Sequence, residues 1–296
     1  MKGTLQIQNV SKTYDKTKAL DDVTIIVPKG TIHGIIGENG AGKTTLIKAV
    51  TGIHTVDEGS VTYDGQEIYE NNKIKQKIGY VADQNQYFKG YKLNNLLEFF
   101  DKTYDDFSKE KFHEYNKEMG LDLNKKVRQL SKGMQMRLSI MINLALNPDL
   151  LVLDEPTSGL DAMAKQKVLE WVVEEVEKRD LTVLISSHHL SELEKLCDAI
   201  TIIEHGKITH QAGTDELKEE VCRIQVVFKN EPPKDLANWE GVSEVKNIGS
   251  IHYIVTTMPY EDMKKRLEQE EIVVVERVTL SLEEAFVCMH KKGDSK

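Results

Sequence analysis

Apolar residues alternate with polar ones in TLQIQNV, whereas VTIIV, TIHGIIG, DLLVL and LTVLI carry them in short unbroken runs. Alternation at every second position predicts half-buried strands, and short apolar runs predict strands covered on both faces. TIHGIIG leads into a glycine-rich loop and then GKTTLIKAVTG, a helix that Gly52 stops, so strand, loop and helix follow one another. Gly59 to Ile68 reads as a hairpin with Asp64 and Gly65 at its turn, and KIGYVA as a further strand. Between Lys92 and Arg128 the texture changes. Leu93, Leu96, Leu97, Phe100, Phe107, Phe112 and Met119 recur at helical intervals in a charged background, which predicts an all-helical insert over about 86–135.

The α/β texture then returns. Helix MQMRLSIMINLAL, strand DLLVLDEP, helix AKQKVLEWVVEEVEKR, strand LTVLISSH, helix LSELEKLC and strand AITIIEHG alternate as a parallel sheet requires. Beyond a short charged helix near Thr214 to Glu220, CRIQVVFK and IHYIVTT alternate like half-buried strands around a Pro-Pro turn. Helix YEDMKKRLEQE, strand IVVVERV and helix SLEEAFVCMHKK complete the chain. The 296 residues therefore divide into a large α/β domain over 1–216 and a small α/β accessory domain over 217–296. The second carries no catalytic constellation and suits a structural or dimer-contact role.

Composition narrows this picture only a little. Apolar residues make up 40% and charged residues 29%, enough for a buried core without covalent staples. With 39 Lys+Arg against 48 Asp+Glu the formal charge is -9, which argues against a broad nucleic-acid surface, so no nucleic-acid partner is expected. Cys197, Cys222 and Cys288 are odd in number and widely spaced, which predicts buried reduced thiols. MKGTLQIQNV has no apolar signal core, and every apolar run falls far short of the ~20 residues of a membrane helix. A cytoplasmic location is expected, with membrane contact only through a partner.

Two motifs carry the chemistry. Gly37, Glu38, Asn39, Gly40, Ala41, Gly42, Lys43, Thr44 and Thr45 fit G-x-x-x-x-G-K-[ST] and lie between a predicted strand and a predicted helix. Glycines let successive N–H groups point inward around phosphates, and the helix N-terminus adds positive potential. Lys43 then pairs with the terminal phosphates and Thr44 holds Mg²⁺. A glycine-rich turn with a surface lysine is the plain alternative, and the strand-to-helix context argues against it. Leu150 to Leu153 form a buried strand that delivers Asp154 and Glu155 at its C-terminal end, where ligands collect in open α/β sheets. Asp154 is assigned to Mg²⁺ and Glu155 to polarising the water that attacks a γ-phosphate. Many NTPases share these two motifs.

Three further segments are more specific. Leu130-Ser131-Lys132-Gly133-Met134-Gln135 opens a helix, Ser158-Gly159-Leu160-Asp161 follows Glu155, and Ser186-Ser187-His188 ends a strand. With Tyr14 about two dozen residues before the loop, the order of these segments over 1–216 resembles the ABC transporter nucleotide-binding domain. The resemblance implies a P-loop NTPase core with an antiparallel β subdomain and the helical subdomain. It also implies that two such domains meet head to tail with ATP between them. Ser131 and the Gly133 amide would contact the γ-phosphate in trans, His188 would grip it in cis, Asp161 would sit at the dimer seam, and Tyr14 would stack on adenine. His33, His54 and His189 are read as structural.

The sequence departs from the family's pattern at two places. The signature LSGGQ appears with Lys132 for its first glycine and Met134 for its glutamine, and similar SKGM signatures occur in ABC-2 type export subunits. Thr279 to Phe286 resembles the SLEE-x-F ending of the same group. The glutamine that follows IGYVP in the family falls here on Asp83, with Gln84 next, so either residue could serve; the reading leans to Gln84 for the metal contact, with Asp83 as its rival. By resemblance the helical insert receives the permease's coupling helix, with Tyr87, Phe88, Tyr91 and Leu93 either lining that groove or forming ordinary core. The expected function is the ATPase subunit of an exporter. It would drive a separate integral membrane permease as a homodimer or heterodimer of nucleotide-binding subunits, peripheral to the inner face of the membrane, with small toxic compounds or amphipathic peptides as cargo. A soluble ABC-type ATPase acting on ribosomes or DNA is the alternative, and it lacks support here because the chain has neither a fused second cassette nor long heptad coils. A binding switch without turnover is the third reading, opposed by intact Lys43, Asp154, Glu155 and His188.

Overall fold

The computed structural model describes residues 3–84, 89–214 and 221–278, together with Ser281 and Glu284. The chain forms two compact units, Met1–His189 with Leu196–Gln211 and Leu190–Lys195 with Ala212–Lys296.

In the first unit β1 (Leu5–Tyr14) pairs antiparallel with β2 (Thr17–Val27) and with β4 (Glu58–Tyr63), which β5 (Gln66–Glu67) extends to the order β2-β1-β4-β5. Asp64 and Gly65 turn the last pair at φ 54° and 74°, the left-handed pair that a two-residue hairpin needs. The larger sheet runs β10-β9-β3-β8-β7-β6, with β3 Ile32–Ile36, β6 Ile78–Val81, β7 Leu150–Asp154, β8 Thr182–Ser187, β9 Ala199–Glu204 and β10 Lys207–Gly213. Strands β6, β7, β8, β3 and β9 are parallel, and every residue of β3, β7 and β8 is buried, which is why these strands read as unbroken apolar runs. Strand β10 carries no apolar run and was not foreseen. His205 and Gly206, at φ 49° and 81°, reverse the chain into it.

Register places the site. Asp154 lies level with Ser186 and Ile36 with Ser187, so the C-terminal ends of β7, β8 and β3 meet along one edge. Helix α1 (Lys43–Val50) leaves that edge, and Leu46, Ile47 and Val50 bury against Leu5, Ile7, Leu150, Val152 and Leu184 in a core shared by both sheets. After α2 (Asn72–Lys75), the helical insert consists of α3 (Leu93–Thr103) and α4 (Lys109–Met119), and α5 (Lys132–Ala145) leads back to β7. Ser108 caps α4 through the Lys111 N–H, and Gly120 closes it at φ 66°. Leu93 is fully buried within the insert, whereas Tyr91 is exposed; Tyr87 and Phe88 lie outside the described residues. The 18-residue α6 (Ala162–Arg179) follows β7, and LSELEKLC yields only α7 (Leu190–Leu193). Among the described residues no helix is long and apolar enough to cross a membrane.

The second unit is a four-stranded sheet ordered β12-β13-β11-β14, from β11 Cys222–Phe228, β12 Val242–Ile248, β13 Ile251–Thr256 and β14 Ile272–Val278. Ile224, Val226 and Ile254 on one face bury with Trp239 and with Met263 and Leu267 of α8 (Tyr260–Leu267). Of the SLEE-x-F segment, Ser281 and Glu284 are described. They form a capping box, Ser281 Oγ accepting from the Glu284 N–H at 3.2 Å and Glu284 accepting from the Ser281 N–H at 3.1 Å. Cys197 and Cys222 are free and buried, and burial pushes both thiols up, leaving them inert. Cys288 lies outside the described residues.

Candidate functional site

The loop after β3 is shaped by backbone that only glycine tolerates. Gly42 caps α1 at φ 115°, and a Cβ there would stand 2.6 Å from the Ala19 carbonyl oxygen. Behind it Lys43 is buried, its Nζ donating to the carbonyls of Gly37 at 2.6 Å and Glu38 at 3.3 Å and lying 3.4 Å from Glu155 Oε1. An ammonium ringed by the loop that it follows is held where an anion entering the loop must meet it.

Across the sheet edge Asp154 is 2% exposed, with one hydrogen bond to each oxygen, accepting from Ser186 Oγ at 2.8 Å and Thr44 Oγ1 at 3.1 Å. Burial raises its pKa above the usual 3.8; the two hydroxyl bonds oppose that shift, and the charges of Glu155 and Asp83 add to it. A buried carboxylate beside a hydroxyl offers the hard oxygens that suit Mg²⁺, which takes one or two protein ligands and completes its shell from phosphates and water. Glu155 sits at φ 51°, its N–H bonded to Ser186 Oγ at 3.1 Å and its Oε2 2.8 Å from His188 Nδ1.

The raised pKa has a stability consequence. The folded pKa of Asp154 exceeds the unfolded one, so the ionised group opposes folding at neutral pH, and the penalty fades as pH falls through the folded value. Asp154→Asn keeps the shape and removes that charge. It is expected to raise the melting temperature of the purified protein at pH 7, at about 2–4 °C per kcal/mol recovered, with a smaller gain near about pH 4. An equal or larger gain at the lower pH would contradict this assignment of the cause.

Asp154, Glu155, Asp83, Ala19 and the loop residues Glu38, Asn39, Gly40, Gly42, Lys43, Thr44 and Thr45 line one cleft of about 230 Å³. That is below the roughly 300–1,000 Å³ of closed small-molecule sites, as befits a site walled on one side. Asp83 is in its wall and Gln84, which the sequence favoured for the metal contact, is exposed and outside it. Tyr14 is exposed at the end of β1, its hydroxyl bonded to His54 Nδ1.

Ser131, Gly133 and Asp161 are not part of the cleft wall. Ser131 caps α5 through the Met134 N–H at 3.2 Å. Gly133 admits no side chain, since a Cβ would stand 2.4 Å from the Gly159 oxygen. Asp161 caps α6 through the Ala164 N–H at 2.9 Å, a bond that holds its carboxyl below the usual range, with Arg137 paired to it adding to the effect. His33 is buried against Thr201, its pKa lowered by burial to about 4, and takes no part. The sequence reading gave no role to Ser186, which ties Asp154 to the Glu155 backbone, or to Lys132, whose Nζ reaches Asp83 Oδ1 and Ser158 Oγ, both at 3.0 Å.

Comparison with known proteins follows the same outline. The model of the ABC transporter family matches residues 20–158. The chain is 32% identical over 284 residues to the ABC transporter ATP-binding protein YtrB of Bacillus subtilis (strain 168), covering 96% of this chain and 97% of that protein. It is 36% identical over 229 residues to the lantibiotic transport ATP-binding protein SrtF of Streptococcus pyogenes, covering 76% of this chain and 98% of that one. Among solved structures, a dimeric ATP-binding cassette in a post-hydrolysis state with ADP and Pi matches with a TM-score of 0.64 at 26% identity, over 71% of this chain and 98% of that chain. Likeness that runs nearly end to end in sequence and holds across the cassette in structure identifies the chain: it belongs to the ABC transporter ATP-binding proteins and is an ATP-binding, ATP-hydrolysing subunit.

Proposed function

We propose that this subunit drives a separate membrane permease in the direction of export, closing on a second cassette with ATP between them and reopening after hydrolysis. The observation that carries this reading is the one-sided cleft: Lys43, Thr44, Asp154 and Glu155 face it, while Ser131, Gly133 and Asp161 lie at helix starts outside it. A second cassette, whether another copy or a relative, supplies the missing wall by presenting the helix N-terminus at Ser131 and Gly133 to the γ-phosphate.

Within the cleft, Lys43 and the loop amides from Gly37 to Thr45 hold the phosphates, and Thr44 and Asp154 hold Mg²⁺. When bound, Mg²⁺ would supply positive charge that offsets that of the phosphates. Glu155 accepts the proton of the attacking water, and His188, bonded to it, steadies that carboxylate and meets the γ-phosphate. Asp83 rather than Gln84 stands at the metal side, a position supported by its place in the cleft wall. Tyr14 stacks on adenine, with His54 fixing its hydroxyl.

Export is supported by the SKGM signature and the SLEE-x-F ending, and by a relative named for lantibiotic transport, which suggests amphipathic peptides as cargo. The test is purification from membranes with the co-purifying permease, followed by transport in inside-out vesicles. ATP is expected to drive a labelled amphipathic peptide into the lumen. ATP-driven movement out of the lumen would overturn the direction.

A further inference from the structure

Two of the positions that depart from the family's pattern change charge. Lys132 stands where the signature usually has glycine, and Asp83 where the loop after β6 usually has glutamine. The fold brings the two together, Lys132 Nζ lying 3.0 Å from Asp83 Oδ1 and 3.0 Å from Ser158 Oγ. Local structure does not call for a lysine here, because the first turn of α5 is the positively polarised end of the helix and disfavours cations. Stability does not call for it either: the side chains are 53% and 37% exposed, and ion pairs at such exposure contribute little.

Location distinguishes the pair. Asp83 shares the cleft wall with Glu38, Asp154 and Glu155, so four acidic residues line the space where phosphates would sit. An ammonium on Asp83 offsets one of those charges. From the other side, Ser158 immediately precedes Gly159, whose carbonyl packs on Gly133 of the signature helix.

We propose that Lys132 is a positioning residue that holds and neutralises Asp83 at the edge of the cleft, and that the Mg²⁺ accompanying ATP competes with Lys132 for that carboxylate. The inference rests on the ATP and Mg²⁺ reading of the cleft. It makes the two sequence departures a single compensated change, and it links metal binding in the cleft to the first turn of the signature helix in the same chain.

The experiment is ATP affinity of the full chain, measured with Mg²⁺ and with EDTA and expressed as the ratio of the two dissociation constants. A loss of general attraction for phosphate affects both conditions, so the ratio isolates the metal. Lys132→Ala is expected to raise the Mg²⁺ advantage about two- to fivefold by releasing Asp83 to the metal, while Lys132→Arg leaves it near wild type. Asp83→Ala should lower the advantage and abolish the effect of Lys132→Ala in the double variant. An unchanged ratio in Lys132→Ala, or the same rise with Asp83 already removed, would overturn the proposal. Lys43→Ala separates the two levels of inference. If it binds ATP like wild type in both conditions, the reading of the cleft itself fails; if it loses binding in both, the cleft reading stands and the Lys132 result judges the pair alone.

Discussion

Glu155→Gln is expected to lower ATP turnover by about 10²- to 10⁴-fold while leaving ATP binding intact, the range over which a positioned general base contributes. Glutamine has the shape of glutamate and can still meet His188 Nδ1, which lies 2.8 Å from Oε2. It cannot accept a proton from water, and it removes the negative charge 3.4 Å from Lys43 Nζ. The neighbouring carboxylate is placed for another task, since Ser186 and Thr44 hold Asp154 on the side of the cleft assigned to the metal. Phosphate release and nucleotide binding measured on the same preparation decide the matter. Normal turnover in the variant would remove Glu155 from the chemistry.

Lys43→Ala is expected to weaken ATP binding by roughly 30-fold to several-thousand-fold, the equivalent of about 2–5 kcal/mol for deleting one partner of a buried charged contact. Lys43 is 6% exposed, its ammonium is placed by the Gly37 and Glu38 carbonyls, and among the described residues no other lysine lines the cleft. The loss has two parts. The phosphates lose a charge-assisted donor, and Glu155 loses the cation that offsets its carboxylate, so the cleft turns more negative toward an anionic ligand. A fluorescent-nucleotide titration in Mg²⁺ gives the number, and an affinity within threefold of wild type, about 0.65 kcal/mol, would contradict the assignment.

Much of the fold was legible because its strands are buried on both faces. LLVL and TVLI suit strands covered on both faces, and their alternation with amphipathic helices is what a parallel sheet expects. The loop at Gly37 to Thr45 was equally legible, since Gly42 occupies a backbone region and a space that no other side chain fits. Strand order was not legible: β3 lies between β8 and β9, neighbours more than a hundred residues away, and nothing local encodes that pairing. Strand β10 was missed because its inward face is only half-buried and carries His210 and the small Ala212 beside a single large apolar residue, Ile208.

At the site, Asp154 and Glu155 announced themselves as acids at a strand end. Ser186 did not, because a serine near a strand end looks the same whether or not its hydroxyl ties the Asp154 side chain to the Glu155 backbone. That Asp83 lines the cleft and Gln84 does not depends on how one loop meets it, and a one-residue shift is invisible in composition or spacing. Lys132 likewise read as a tolerated exception in the signature. Its meaning appears only through Asp83, 49 positions earlier in the chain and 3.0 Å away in space.

The central claim is that the ATP site of this chain is half of a site that a second cassette completes. Retention of ATP tests it most directly. The complex purified from membranes with Glu155→Gln, incubated with Mg²⁺ and ATP and passed through gel filtration, is expected to retain stoichiometric ATP per cassette. Adding Ser131→Ala, which leaves every residue of the cleft in place, is expected to release that ATP. Retention unaffected by Ser131→Ala would contradict a shared site and make the cleft of a single chain sufficient.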